Sequence, residues 1–164
     1  MSKRDDFCNE VNDIWLNHGI YVWGGNGELI EKSSKLIFTN ETSPSNISRV
    51  LRTVALFYDR GYNMSKAQMV DCSGLVVSAL RKLKLISQAD DYRAKDLQKM
   101  SKAVKLAELK PGDLVFNALS DASHVGVYVG YDMVIESEGR LYGVVKRQLS
   151  EGSWKIGGRL KYFE

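Results

Sequence analysis

One short run, Asp71-Cys72-Ser73-Gly74-Leu75-Val76, constrains this chain more than any other. Asp71 is a good helix N-cap, because its carboxylate accepts from the first free N–H groups of the turn. Leu75, Val76, Ala79, Leu80 and Leu83 then recur at helical spacing. Arg81, Lys82 and Lys84 load the far end, where cations suit the helix dipole. The run predicts an amphipathic helix over about 72–85 with Cys72 in its first turn. There the positive end of the dipole favours the thiolate, the attacking form of cysteine. A lone cysteine is more often a small buried hydrophobe, so the nucleophile reading needs a partner.

The partner is a general base, most often histidine. The chain has two histidines. His18 lies in Asn17-His18-Gly19, which reads as a helix end with Gly19 at the position after the cap. His124 opens His124-Val125-Gly126-Val127-Tyr128-Val129-Gly130, in which the valines alternate as on a half-buried strand. His124, Gly126 and Tyr128 point the other way, and Gly126 leaves room beside the histidine for backbone or substrate. A third residue should orient the imidazole through its other nitrogen. The chain turns at Gly130-Tyr131-Asp132 and returns as Met133-Val134-Ile135-Glu136-Ser137. A three-residue loop would set Glu136 opposite Gly126 and diagonal to His124, whereas a two-residue loop would flip the face. Asp132 and Glu138 compete for the role, and the bland alternative for each is a solvated carboxylate.

Four runs, taken in order, resemble the NlpC/P60 family of cysteine peptidases. They are Tyr21-Val22-Trp23-Gly24-Gly25, Asp71 to Val76, Pro111-Gly112-Asp113-Leu114-Val115-Phe116, and His124 to Gly130. The resemblance covers about residues 14–150. It implies a papain-like α+β fold, with N-terminal helices packed on a C-terminal antiparallel sheet, and cleavage of peptidoglycan stem peptides. It implies Cys72 as nucleophile, His124 as base and the residue twelve positions further on, Glu136, as orienter. Many relatives carry histidine, asparagine or glutamine there, so the acid is a departure. Tyr21, Asp71 and Ser73 match positions that surround the substrate in relatives. For Trp23, core packing is the preferred expectation.

A larger departure is the stretch of about 26–70, inserted between two runs that lie close together in relatives. It begins polar, with Thr39 to Asn46 reading as a turn-rich open loop. Ile47, Val50, Leu51, Val54, Phe57 and Tyr58 then recur at helical spacing until Arg60-Gly61. The insertion is expected to hold a helix over about 47–60, serving as lid, substrate wall or buttress.

Composition bounds what remains. A chain of 164 residues suits a single domain with one core, and no repeat is visible. A formal charge of +3, with acids and bases interspersed, gives nucleic-acid binding little support. No run is long enough to span a bilayer. Lys3 and Arg4 are not followed by the apolar stretch of a secretory signal, so export by a phage-type lysis or virion route is expected. Cys8 and Cys72 form no disulfide framework, and no metal or cofactor motif is present. Helices in the first half are followed by strands near 113–118, 124–130, 133–137, 142–149 and 154–163. That order argues α+β with an antiparallel sheet. The resemblance implies a D-γ-glutamyl–diamino acid endopeptidase. An N-acetylmuramoyl-L-alanine amidase, an acyl-transferring relative and a wall-binding relative are the alternatives.

Overall fold

The computed structural model describes residues 1–164. Helix α1 (Lys3–Leu16) opens the chain, with the Ser2 hydroxyl accepting the Asp5 N–H at 3.1 Å. The inserted segment contributes β1 (Asn26–Leu29), two short helices, α2 (Ile30–Ser33) and α3 (Leu36–Asn40), then α4 (Pro44–Asp59) and β2 (Gln68–Val70). Next come α5 (Cys72–Lys82) and α6 (Ala94–Lys99). The strands β3 (Ser101–Val104), β4 (Leu114–Phe116), β5 (Val125–Gly130), β6 (Met133–Gly139), β7 (Gly143–Gln148) and β8 (Ile156–Leu160) follow. These last six form one antiparallel sheet in the order β3-β8-β4-β5-β6-β7, while β1 and β2 pair separately. The expected α+β class is observed. The short strands β1, β2 and β3 were not expected, because three or four residues hold too little alternation to read.

α5 packs on the central sheet. Leu75, Val76, Ala79 and Leu80 meet Val125 and Val127 of β5, Ile135 of β6, and Phe7, Val11 and Ile14 of α1 in the main core. The opposite face of the sheet carries a smaller cluster of Val115, Tyr128, Val134 and Trp154. The alternation along β5 therefore separates two apolar faces rather than an apolar face and a wet one.

The β5–β6 turn settles the register in an unexpected way. Its loop is the two residues Tyr131 and Asp132, both in the left-handed region at φ 53° and 58°. Such a turn suits a tight hairpin. A two-residue loop alone would turn Glu136 to the wrong face. A bulge between Tyr128 and Gly130 adds the missing residue on β5, and Val127 pairs with Ile135. The register expected from a three-residue loop is thus reached by another route.

Three further expectations are corrected. α1 ends at Leu16, and His18 itself, not Gly19, takes the left-handed position at φ 61°. The His18 ring stacks on Tyr62 at 3.9 Å between centroids, which holds it there. In α4, Val50 is buried and Ile47, Val54 and Phe57 pack on the cluster of Ile20, Val22, Ile30 and Met69. Leu51, however, is 40% exposed, because the helix turns it off the buried stripe. The 39–46 stretch is not an open loop either: Glu41 is buried by an ion pair with Arg140.

The Pro111-Gly112-Asp113 turn is a structural knot. The Asp113 side chain is fully buried and accepts from Arg159 Nε and Nη2 at 2.9 and 2.7 Å, Arg4 Nη1 at 3.1 Å and the Lys110 N–H at 2.8 Å. Burial pushes its pKa upward, but the hydrogen bonds from Arg159, Lys110 and Arg4 outweigh it and hold the pKa below the ordinary 3.8. The stabilising contribution is therefore present above the ordinary carboxylate range and lost as pH falls through the depressed value. Asp113→Ala should cost about 3–5 kcal/mol by leaving two partly buried guanidinium groups without their acid. A differential scan at neutral pH should show Tm lower by on the order of 10 °C. A shift of a degree or two would mean that the knot contributes little.

Candidate active site

Cys72 stands at the head of α5 because Asp71 caps it: Asp71 Oδ1 accepts the Gly74 N–H at 2.7 Å. The other oxygen, Oδ2, accepts the Gly24 N–H at 2.9 Å, and the Ser73 hydroxyl donates to Oδ1 at 3.3 Å. Burial raises the Asp71 pKa from its ordinary 3.8 despite these three donors. The Gly24-Gly25 loop lies so close to the helix that a Cβ on Gly74 would collide with the Gly25 carbonyl oxygen. Glycine at 74 is required by that approach. The Cys72 N–H belongs to the first turn, where no intrahelical acceptor is available.

His124 immediately precedes β5. Asn117, just past β4, shapes its approach: Asn117 Oδ1 accepts the N–H groups of Ser123 and His124, both at 3.1 Å. Gln98 on α6 braces the same loop by accepting the Ala122 N–H at 2.9 Å and donating to the Ala118 carbonyl at 2.8 Å. Cys72 Sγ is directed at the Ser123 carbonyl oxygen, 3.8 Å away. His124 Nε2 pairs with Glu136 Oε1 at 2.8 Å, which leaves Nδ1 as the ring nitrogen for Cys72. Burial works against a charged His124 ring, but hydrogen bonds and charge from Cys72 and Glu136 outweigh it and lift the pKa to about 9.

The structure thus brings Cys72, His124 and Glu136 together. Neither competing carboxylate pairs with the His124 ring. Glu138 pairs with Arg147 Nη2 at 3.0 Å, and Asp132 sits in the hairpin turn. Tyr21, Asp71 and Ser73 all line a cleft of about 500 Å³ in front of Cys72. Burial, with the charges of Cys72 and Asp71, pushes the Tyr21 pKa up to about 12, so its hydroxyl stays a donor. Trp23 is 57% exposed and lines this cleft, against the expectation of core packing. Ile20 and Val22 take the buried positions of this extended run, so Tyr21 and Trp23 alternate to the cleft side.

Four residues around the site escaped sequence reasoning. Trp154 stacks on His124 with ring centroids 5.4 Å apart and planes within 14°. Its indole fills the space beside Gly126 that was expected for backbone or substrate, since a Cβ there would meet Trp154 and Val134. Arg147 Nη2 lies 3.4 Å from the second Glu136 oxygen. Asn117 and Gln98 act on backbone. None of the four belongs to a spaced motif; only the isolated tryptophan after Gly152-Ser153 carries a faint signal.

A cysteine at a helix head facing a histidine carried by an antiparallel sheet, with an acid behind it, is a papain-like arrangement. The chain belongs to the NlpC/P60 family, whose profile matches residues 58–157. It is 38% identical over 77 residues to a probable endopeptidase of Mycobacterium tuberculosis, covering 47% of this chain and 18% of that protein. It is 34% identical over 88 residues to the murein DD-endopeptidase/LD-carboxypeptidase MepS of Escherichia coli, covering 52% and 45%. The chain spans less than half the length of these curated relatives. Its fold is similar to the NlpC/p60 domain of the peptidoglycan hydrolase SagA, with TM-score 0.62 and 13% identity over 96% and 99% of the two chains. It is also similar to RipD of Mycobacterium tuberculosis, a non-catalytic NlpC/p60 domain protein adapted to peptidoglycan binding, with TM-score 0.58 and 16% identity over 93% and 96%.

Glu136→Gln should remove one of the groups that raise the His124 pKa. An NMR titration of the His124 ring should then move from about 9 toward the ordinary 6.5. The sign for stability follows: charged His124 stabilises the fold fully below its unfolded value and loses that contribution as pH rises through about 9. A titration unchanged in the Gln variant would remove Glu136 from its assigned role.

Proposed function

We propose that this chain is a cysteine endopeptidase that hydrolyses peptidoglycan stem peptides, cutting the D-γ-glutamyl–diamino acid bond. The observation that supports hydrolysis best is the 2.8 Å pairing of His124 Nε2 with Glu136, which leaves the other ring nitrogen available to the helix-head cysteine. Peptidoglycan as substrate is supported by family membership and by the murein endopeptidase relatives.

In this reading the Cys72 thiolate attacks the amide carbonyl carbon. The oxyanion that forms is met by the Cys72 N–H, a fixed donor at the helix start. Imidazolium His124 then gives its proton to the departing amine as the C–N bond breaks, leaving a thioester on Cys72. Water attacks the thioester while His124 takes a proton. The acid product departs and the thiolate is restored. Glu136 holds the ring in orientation and favours its protonated form, while Trp154 covers one face of the ring.

Wall binding without catalysis is the alternative set by RipD-like relatives. The Glu136-held His124 ring beside the helix-head Cys72, whose charge helps raise the ring's pKa, favours turnover. Amidase action would instead release an intact stem peptide from the glycan.

Digestion of defined muropeptides followed by mass spectrometry distinguishes these readings. The expected products are a fragment ending in D-glutamate and a fragment beginning with the diamino acid. New reducing ends, or intact stem peptides, would overturn the assigned bond. Cys72→Ala and His124→Ala should each lower kcat by at least about a thousandfold with the fold retained. Burial pushes the Cys8 thiol up to about 11, so iodoacetamide at neutral pH should alkylate Cys72 first. Equal labelling of the two in folded protein would contradict the nucleophile assignment.

A further inference from the structure

The inserted segment holds the aromatic wall of the Cys72 cleft. The Trp23 N–H donates to Glu41 Oε2 at 3.1 Å, and the Trp23 carbonyl accepts from Asn40 Nδ2 at 3.0 Å. Both backbone groups of Trp23 are therefore fixed by consecutive residues at the end of α3. Glu41 is a buried carboxylate, 4% exposed, and Arg140 Nε and Nη2 each reach it at 2.9 Å. Arg140 in turn lies over the Tyr21 ring, 5.1 Å from its centroid. The Thr53 hydroxyl of α4 donates to the Arg140 carbonyl at 2.7 Å, so the insertion grips Arg140 by main chain and side chain. The indole of Trp23, by contrast, projects into solvent at the cleft.

Burying a carboxylate–guanidinium pair carries a desolvation penalty, so such a pair is a weak source of stability. What this pair does is fix two aromatic residues on one cleft wall. A large ring on an immobilised backbone meets a ligand with little further loss of freedom. The direction of the substrate follows from the proposed mechanism. The departing amine takes its proton from His124, so the leaving half lies on the His124 side, where Asn117, Glu138 and Trp154 line a separate cleft. The acyl half then lies in the cleft lined by Cys72, Tyr21 and Trp23.

Resting on the hydrolase reading, we propose that Trp23 contacts the acyl-side segment of the stem peptide and that Asn40, Glu41 and Arg140 are positioning residues holding the Trp23–Tyr21 wall. The insertion on this account determines how well substrate is held and leaves the chemistry at Cys72 alone.

The test compares Asn40→Ala, Glu41→Gln and Trp23→Ala with the unmodified chain on one disaccharide-tetrapeptide muropeptide. KM should rise five- to twentyfold in each, with kcat within twofold and the Cys72 alkylation rate unchanged. Asn40→Ala combined with Trp23→Ala should be no worse than Trp23→Ala alone. Arg140→Lys should be intermediate, since it keeps the charge but not the two-point contact. Asn40 is at the surface, so its variant keeps the test valid if Glu41→Gln fails to fold. An unchanged KM in folded Asn40→Ala, or a loss confined to kcat, overturns the inference. Equilibrium binding of the same muropeptide to Cys72→Ser separates the two readings. If the unmodified chain does not turn over, the hydrolase reading fails. Binding unaffected by Asn40→Ala, or no binding at all, overturns the wall inference.

Discussion

The Asp71 carboxylate is the constraint on which the site depends. It caps α5, holds the Gly24 N–H and takes the Ser73 hydroxyl, so one half-buried group fixes the helix start to the preceding Gly-Gly loop. Even half-buried, an acid without such donors would be unfavourable. With them, the loop must approach the helix closely, and only glycine at 74 allows it. A second tie runs from the sheet: the buried Ser137 hydroxyl of β6 donates to the Val70 carbonyl at 2.8 Å, one residue before Asp71. Cys72 is thereby referenced to β6 rather than merely placed on a helix.

Adjacent residues of β6 consequently have complementary tasks. Ser137 points to the α5 side and anchors the strand that leads into Cys72, while Glu136 points to the other face and holds His124. Strand alternation makes this division automatic once the register is set. The register depends on the bulge in β5, because the two-residue turn by itself would exchange the two faces. A single extra residue near Gly130 thus decides whether the acid can reach the histidine.

Much of this was legible in the sequence because it is local. The cap, the cysteine and the apolar stripe of α5 lie within one run, and the β5 alternation marks His124. Glu136 was reachable only through an assumed loop length, and the face came out right through a bulge that the sequence does not announce. The Tyr-Val-Trp run reads as core, yet Ile20 and Val22 take the buried positions and alternation leaves Trp23 at the cleft. Trp154 and Gln98 act across twenty or more positions on a ring or on backbone, and Asn117 folds its own loop back by side-chain contacts six and seven positions on; such contacts leave no periodic trace. Glu41 was hidden for the same reason: in sequence it is one acid in a polar stretch, and its partner Arg140 lies in the β6–β7 turn.

The two buried acid–arginine groups show how similar chemistry serves different ends. Asp113 gathers Arg4 and Arg159 and so binds α1, the Pro-Gly turn and β8, three parts remote from Cys72. Each of its oxygens is satisfied by donors from separate elements, which suits a group that closes the fold. Glu41 meets only Arg140 and the Trp23 N–H, and both of those lead to the cleft wall. Around His124 the balance differs again. Glu136 is shared between the ring at 2.8 Å and Arg147 at the longer 3.4 Å, so the arginine offsets part of its charge without displacing the imidazole. Arg147 is itself drawn toward Glu138 at 3.0 Å, which keeps its stronger contact away from Glu136. A shorter Arg147–Glu136 pairing would compete for the carboxylate and weaken its support of His124. The Glu138 contact therefore preserves the hold of Glu136 on the ring that faces Cys72.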